Sequence, residues 1–287
     1  VSTTGSVAVN AAALLDQGAG QTPIDIAADG TVTVNAPLTT DAPHSGITIH
    51  TKGALDVNAP LQAAGSASDV RIASFGSATF APDAPVDAPN DDIDVVVGPA
   101  ARNPNAQLLM QDDGANTTTF SVGPGAIEID ALGDIQLGRL LSAAGLEDAV
   151  AVESRRGAIA NAGNAAGPNL DAPAAGAQLH AADGIGDDDP LLVNVDRIEA
   201  INHANGDVQL TSASDLGLDH VETDDGGDVV VIADGSINLF DDTVLVDDAV
   251  VRLTAGDDLL LDGAIAFAAQ AFLTAGADGT GLLQWTG

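Results

Sequence analysis

Two pairs of adjacent aspartates, Asp224-Asp225 and Asp241-Asp242, have the residue type that acid–base chemistry requires. Two carboxylates at a suitable separation can act as acid and base on a glycosidic bond. The signal is unspecific, because the chain has 42 acidic residues and only five of them are glutamate. Composition alone produces further pairs, at Asp91-Asp92, Asp112-Asp113, Asp247-Asp248 and Asp257-Asp258. The sequence therefore identifies no catalytic residue.

The segment Asp224-Asp225-Gly226-Gly227-Asp228 is the best local candidate for a metal site. Ca²⁺ binds oxygen ligands, and Asp-rich turns offer carboxylates together with backbone carbonyls. Asp224, Asp225 and Asp228 are therefore candidate Ca²⁺ ligands, and a solvated acidic corner is the alternative. No transition-metal spacing and no cofactor-binding residue is found, since the histidines are dispersed along the chain, at His44, His50, His180, His203 and His220.

The net charge of −34 at pH 7 excludes several classes of partner. Such a charge repels nucleic acid and anionic lipid, which bind proteins through Lys and Arg. We therefore expect no nucleic-acid partner, and no apolar run is long enough to predict membrane insertion. The acidity has two explanations, Ca²⁺-collecting turns outside the cell or a surface adapted to high salt. Cysteine is absent, so no disulfide framework is expected.

The elements that would position these residues are indicated by a near-copy. Residues 30–38 (GTVTVNAPL) and 53–61 (GALDVNAPL) match at an offset of 23 residues, a period typical of solenoids. Apolar pairs recur at the same step, and each pair alternates with polar residues as in a strand. One side of the coil is predicted at Ile24/Ile26, Ile47/Ile49, Val70/Ile72 and Ile93/Val95, and a second at Val32/Val34, Leu55/Val57 and Ala78/Phe80.

With a third side at Leu38 and Leu61, the pattern predicts an all-β parallel β-helix, or solenoid, with three short strands per coil and about 21–23 residues per coil. Residues 1–287 are expected to form a single solenoid, with irregular loop insertions near 81–105 and 160–190, where prolines or small residues replace the pattern. In the middle of the chain, Leu108/Met110 are assigned to the same side as Ile127/Ile129 and Val150/Val152. Three sides return in the last third, at Val208/Leu210, Leu216/Leu218 and Val244/Val246 and their repeats.

Three segments of the last third carry a family resemblance. They are Gly184-Ile185-Gly186 with Pro190-Leu191 and Val193-Asn194-Val195, then Gly206-Asp207-Val208-Gln209-Leu210, and Gly235-Ser236-Ile237-Asn238-Leu239. Residues 180–267 resemble the repeat region of filamentous-haemagglutinin-like bacterial exoproteins. The resemblance implies a right-handed coil, secretion through a dedicated outer-membrane partner, and a role as stalk, adhesin or filament. The family's N-terminal secretion domain is not visible in this sequence.

We therefore predict a non-catalytic structural or adhesive segment of a large secreted surface protein. The alternatives are a carbohydrate-active β-helix enzyme, either a lyase or a glycosidase, and a glycan binder similar to a phage tail-spike. Hydrolases of this fold present G-H-G and R-I-K segments, and Arg197-Ile198-Glu199 lacks the lysine. An enzyme would also gather charges of both signs in one groove, which no segment of the sequence does. A spike would use aromatic sugar platforms, and aromatic residues are only 2% of the chain.

The expected location is extracellular, at the cell surface, and the chain is expected to be a mature or excised part of a longer secreted product. Neither Val1–Val9 nor Leu282–Trp285 resembles a cap, and an uncapped coil end exposes an edge strand. The expected partners are therefore further copies of the chain, stacked end to end or laterally, or neighbouring segments of a longer chain. A cell-surface glycan is a further possible partner, and Ca²⁺ is the one cofactor considered.

Overall fold

The computed structural model describes residues 1–15, 23–99, 103, 105–163, 167–224, 226–240, 244–246, 249–262, 265–266, 269–277 and 279–285. These residues form strands and loops without a helix, and the strands stack as a parallel β-solenoid of about 11 turns. None of the described residues belongs to a helix that could span a lipid bilayer. The predicted all-β solenoid with three short strands per coil is confirmed.

The strands are short because every coil must turn three corners before it returns to the start of the next coil. In chain order they are β1 (Ser2–Thr3), β2 (Val7–Val9), β3 (Ala13–Leu15), β4 (Ile24–Ala28), β5 (Val32–Val34), β6 (Leu38–Thr40), β7 (Ile47–Thr51), β8 (Leu55–Val57), β9 (Leu61–Ala63), β10 (Val70–Ser74), β11 (Ala78–Phe80), β12 (Val86–Ala88), β13 (Ile93–Val97), β14 (Leu108–Met110), β15 (Thr119–Val122), β16 (Ile127–Ala131), β17 (Ile135–Leu137), β18 (Arg139–Ser142), β19 (Val150–Ser154), β20 (Ile159–Asn161), β21 (Leu170–Ala181), β22 (Leu191–Asn202), β23 (Val208–Ser212), β24 (Leu216–Thr223), β25 (Val229–Ala233), β26 (Ile237–Leu239), β27 (Val244–Val246), β28 (Val250–Ala255), β29 (Leu259–Leu261), β30 (Ile265–Ala266), β31 (Gln270–Thr274) and β32 (Leu283–Trp285).

Parallel pairing between successive coils produces three ladders, which we call A, B and C. Ladder A joins β1, β4, β7, β10, β13, β16 and β19 to the last residues of β21, β22 and β24, and then β27 and β30. Ladder B joins β2, β5, β8, β11, β14, β17 and β20, passes through a single bridge at Ile185, and continues with β23, β25, β28 and β31. Ladder C holds β3, β6, β9, β12, β15, β18 and the first residues of β21 and then β22, the latter of which pair next with the end of β23. From Arg197 of β22 onward the third side is formed by the start of β24, then β26, β29 and β32.

The register of ladder A follows the predicted step. Ile24 pairs with Ile47, Ile47 with Val70, and Val70 with Ile93. Alternate residues of each strand point inward, so β4 has buried side chains at Ile24, Ile26 and Ala28 while Asp25 is exposed. Because equivalent residues face one another, identical or similar apolar side chains stack through the interior along the whole coil.

One side assignment made from the sequence is wrong. Leu108 pairs with Ala78 and with Ile135, so Leu108/Met110 belong to ladder B and not to the side that holds Ile127. The cause is a longer coil. Ile93 pairs with Ile127, because β13 ends at Val97 and β14 begins only at Leu108, and an antiparallel bridge between Asp112 and Thr117 adds further chain.

The two stretches in which loop insertions are expected contain strands as well as loops. Residues 81–105 include β12 and β13, which pair with the neighbouring coils, and prolines 82, 85 and 89 lie at or beside the corners. Residues 160–190 include the 12-residue strand β21. Within this second stretch Asn169 is fully buried, and its Nδ2 donates to the carbonyl oxygens of Leu137 and Gly138 at 3.0 Å. Its Oδ1 accepts from the N–H of Leu192, so one side chain joins three coils.

Among the described residues the core consists of Val, Ile, Leu and Ala together with Met110 and one aromatic pair. Phe80 and Phe120 are fully buried and meet edge to face, with ring centroids 4.9 Å apart. Such pairs stabilise a core beyond the area they bury. The two rings lie in β11 and β15, on ladders B and C, so they fill the interior where the coil lengthens.

Replacing Phe80 by Ala should therefore lower the free energy of unfolding by about 3 to 5 kcal/mol, since the cavity also leaves Phe120 without its partner. Denaturant unfolding monitored by far-UV circular dichroism measures the loss. The matched control is Phe272→Ala on β31, where the ring is 49% exposed and a loss below about 1 kcal/mol is expected. Equal losses in the two variants would contradict the packing described here.

Candidate functional site

Aspartates at the corners bind backbone of the neighbouring coil. Asp207 Oδ1 accepts a hydrogen bond from the N–H of Asp228 at 2.8 Å, and Asp228 Oδ1 accepts from the N–H of Val250 at 2.9 Å. Corner N–H groups lack a strand partner at these positions, and an unpaired buried donor is costly. The same contact recurs at Asp92 with Ala126, Asp215 with Ser236, and Asp258 with Leu282. These carboxylates therefore join successive coils.

Two of the three candidate Ca²⁺ ligands, Asp224 and Asp228, lie at such a corner. Asp228 uses its Oδ1 on Val250, and the N–H of Asp224 donates to the carbonyl oxygen of Asn202 at 3.0 Å. Asp225 lies outside the described residues. Among the residues that the structure describes, no three Asp, Glu or His side chains are grouped as metal ligands would be. A site made by the three aspartates therefore depends on Asp225.

Two of the dispersed histidines pair with glutamates on ladder A. His180 Nε2 lies 2.8 Å from Glu199 Oε1, and His220 Nε2 lies 2.8 Å from Glu222 Oε2. These side chains project from the outer face of the ladder, where each coil places its side chains beside those of the next. Histidines that are dispersed in the sequence therefore form specific side-chain pairs on the outer face of ladder A.

A groove runs across this outer face in the middle coils, and we call it the central groove. It consists of two neighbouring cavities of about 500 Å³ and about 260 Å³, its larger and smaller parts, and Gln178 lines both. The side chains that line it include seven carboxylates, two guanidinium groups, an imidazole and an aromatic ring, from Glu128, Asp130, Glu147, Asp148, Glu153, Arg155, Gln178, His180, Arg197, Glu199, Asp219 and Phe240.

Both arginines of the groove hold carboxylates. Arg197 Nη1 lies 3.4 Å from Asp219 Oδ1, and its guanidinium carbon lies 5.0 Å from the centre of the Phe240 ring. Arg155 pairs with Asp130 through Nη2 and lies 3.8 Å from Glu153 through Nε. Charges of both signs are therefore gathered in one groove, contrary to the expectation from the sequence.

Burial dominates the ionisation of the carboxylates that the arginines hold. Burial raises the pKa of Asp130, and although Arg155 lowers it, Glu153 and Glu128 add to the rise. Burial likewise raises the pKa of Asp219. Arg197 lowers this pKa, and the carboxylates of Glu147 and Glu199 oppose that lowering. A carboxylate in a cleft with its pKa raised by burial and neighbouring charge is a candidate functional group.

A close backbone contact places Glu147 in the groove. A Cβ added to Gly176 would lie 1.7 Å from the carbonyl oxygen of Glu147, so only glycine allows β21 to approach the loop that precedes β19. The N–H of Gly176 donates to the carbonyl oxygen of Leu146, and the N–H of Ala149 donates to that of Gly176, both at 3.1 Å. Gln178 then reaches Asp148 Oδ1 at 2.8 Å.

Sequence reasoning missed the groove because its contacts join different coils. Arg155 and Asp130 are 25 residues apart, and Arg197 and Asp219 are 22 apart. No local motif carries such a pair. The signal would have been visible only after aligning the coils and comparing the outward positions of successive strands.

No protein-family model, no curated protein and no solved structure matches this chain.

The corner role of Asp228 can be tested by substitution. Asp228→Ala removes the acceptor for the Val250 N–H, and we expect the free energy of unfolding to fall by about 1 to 2 kcal/mol. Asp228→Asn keeps an Oδ1 acceptor and should lose less. Asp25→Ala, on the exposed face of β4, is the control and should stay within about 0.5 kcal/mol of the parent protein. Thermal and denaturant unfolding measure all three, and an Asn variant as weak as the Ala variant would argue against the hydrogen bond.

Proposed function

We propose that this chain is a non-catalytic structural segment, a stalk or filament-forming part of a large secreted surface protein. The observation that carries the proposal is the continuity of the coil. Ladders A, B and C pass backbone hydrogen bonds from coil to coil, and corner carboxylates add further bonds between them. A stacked-coil protein gains its stability from nearest-neighbour contacts, which suits a spacer of any length.

The proposed location is extracellular, at the cell surface, with secretion through an outer-membrane partner. The resemblance to filamentous-haemagglutinin-like exoproteins motivates this part of the proposal. The coil that carries the resemblance, with Gly206-Asp207 before β23 and Gly235-Ser236 before β26, is a regular part of ladders B and C.

The proposed partner is a further coil, either in a longer chain or in a second copy stacked end to end. β32 pairs with β29 on one side, and Leu283 and Trp285 on β32 are 51% and 60% exposed. Exposed apolar side chains on a strand with an open edge favour pairing with another strand.

A carbohydrate-active enzyme is the second candidate, and the central groove favours it. The groove holds two carboxylates, Asp130 and Asp219, whose pKa values burial raises although each of them pairs with a guanidinium group. Our proposal is nevertheless binding without turnover, because R-I-K and G-H-G segments do not occur in the sequence. Cleavage of an acidic or neutral polysaccharide in a turnover screen would overturn the non-catalytic proposal.

End-to-end stacking predicts a concentration-dependent length. The purified protein should form rods longer than one copy at high concentration, visible by negative-stain microscopy and as faster sedimentation. Leu283→Lys should shorten the rods, because a charge at an apolar contact opposes burial. Ile232→Lys is the control, since Ile232 is an exposed apolar residue on β25, a strand that is paired on both edges.

Two results would contradict this proposal. Isolated rods of uniform length at high concentration would exclude stacking of copies under those conditions. Equal shortening by Leu283→Lys and Ile232→Lys would show that added charge acts generally and that β32 is not the contact.

The acidity predicts how stability responds to ions. We expect added NaCl to raise the melting temperature, because salt screens repulsion within a chain of net charge −34. Removal of Ca²⁺ with a chelator at constant ionic strength should leave the melting temperature unchanged, since Asp228 is engaged with the Val250 N–H. A fall on chelation that Asp228→Asn abolishes would instead establish the Ca²⁺ site of Asp224, Asp225 and Asp228.

A further inference from the structure

The central groove is long enough for an extended ligand. Its lining residues come from five consecutive strands of ladder A, namely β16, β19, β21, β22 and β24, and from the adjoining loops. Four steps between strands at about 4.8 Å each give a length of about 19 Å. A ligand that lies along the coil axis would therefore meet a new set of side chains at each step.

The charge of the groove selects the sign of the ligand. Seven carboxylates line it against two guanidinium groups, and the Glu128 and Glu147 carboxylates have no ion-pair or hydrogen-bond partner among the described residues. Burial raises the pKa values of Asp130 and Asp219, and neighbouring carboxylates of the groove raise them further. A cleft with one predominant sign concentrates ligands of the opposite sign. The ligand should therefore carry positive charge.

The hydrogen-bond donors in the groove favour a ligand that carries acceptors as well as positive charge. Arg155, Gln178 and Arg197 donate to Asp130, Asp148 and Asp219, respectively, and each side chain carries further N–H groups besides those in these contacts. A simple polyamine has no acceptor for them and would be repelled by the guanidinium groups. Gln178 lines both parts of the groove and each part contains one arginine, so a bound ligand would meet donors and acceptors in both parts.

The backbone of the groove is not available for recognition. The N–H and C=O groups of ladder A are paired between successive coils, for example along Val150–Ser154 with Ala177–Ala181. An extended peptide could not add here as a strand, since strand addition needs a free edge. Recognition must use side chains, which favours a ligand rich in hydroxyl groups, and Phe240 offers a ring surface beside Arg197.

We propose that the central groove binds an oligosaccharide that carries free amino groups. The ammonium groups are held by the carboxylates of Glu147 and Glu199 in the larger part and by that of Glu128 in the smaller part. Hydroxyl groups accept from Arg197 and Gln178 and donate to Asp148 and Asp219. Anionic polysaccharides are repelled by the same groove.

The test is a calorimetric or NMR titration of the whole chain with three probes. A glucosamine hexamer carries hydroxyl and ammonium groups, the N-acetylglucosamine hexamer has its amines acetylated and uncharged, and spermine has the charge without the hydroxyl groups. We expect the glucosamine hexamer to bind at least about tenfold more tightly than either of the others, since each charge-assisted contact contributes roughly that factor. NMR shifts should be confined to the groove.

Variants locate the site. Glu147→Gln combined with Glu199→Gln should weaken glucosamine-hexamer binding about tenfold or more while the melting temperature changes little, because both side chains lie on the surface of the coil. Asp25→Asn on β4 removes one charge from the outer face of the same ladder, far from the groove, and is the matched control.

Three outcomes would overturn the proposal. Binding of spermine as tight as that of the glucosamine hexamer would mean that only the overall negative field attracts polycations. Equal binding of the acetylated hexamer would remove the role of the amino groups. An Asp25→Asn variant that loses as much affinity as the groove variant would place the interaction outside the groove.

Discussion

Every coil of this protein must pair its backbone with the next coil at a spacing of about 4.8 Å, and this constraint determines which side chain meets which. Residues at equivalent positions stack on one another, as Ile24, Ile47, Val70 and Ile93 do on ladder A. Inside the coil this repetition fills a narrow interior with aliphatic side chains. Outside, it places like charges side by side wherever successive coils carry acids.

The acids are therefore tolerable only where the structure gives them a partner or open solvent. At the corners, Asp207 and Asp228 accept N–H groups that no strand pairs, so the negative charge satisfies backbone donors. On the outer face of ladder A, Arg155 and Arg197 each draw two carboxylates of different coils together. A net charge of −34 is thus compatible with the coil because part of it has a structural use, and the rest is exposed to screening by salt.

The regular coils could be predicted from the sequence because each one repeats the last. The step of 23 residues and the alternation at Ile47/Ile49 and Val70/Ile72 were sufficient for the strand positions and for their register. Leu108/Met110 were assigned to the wrong side, because the coil between Ile93 and Ile127 is longer than the coils before it. The step of 23 residues therefore no longer connects residues on the same side of the solenoid. The groove could not be predicted, because Arg197 and Asp219 become neighbours only when the coils are stacked.

The groove lies where the repetition is broken. The pairing of β21 with β22 shifts register between Ala172 and Gly176, and the pairing of β22 with β24 shifts between Ile198 and Glu199. Gly176 allows the loop that carries Glu147 to approach closely, and the shift at Glu199 brings Asp219 to the same surface. An ideal coil presents the same flat face at every rung and has no concave surface of its own. Irregular coils are therefore the positions at which a spacer can acquire a binding site, while the regular coils on either side keep the irregular ones in register.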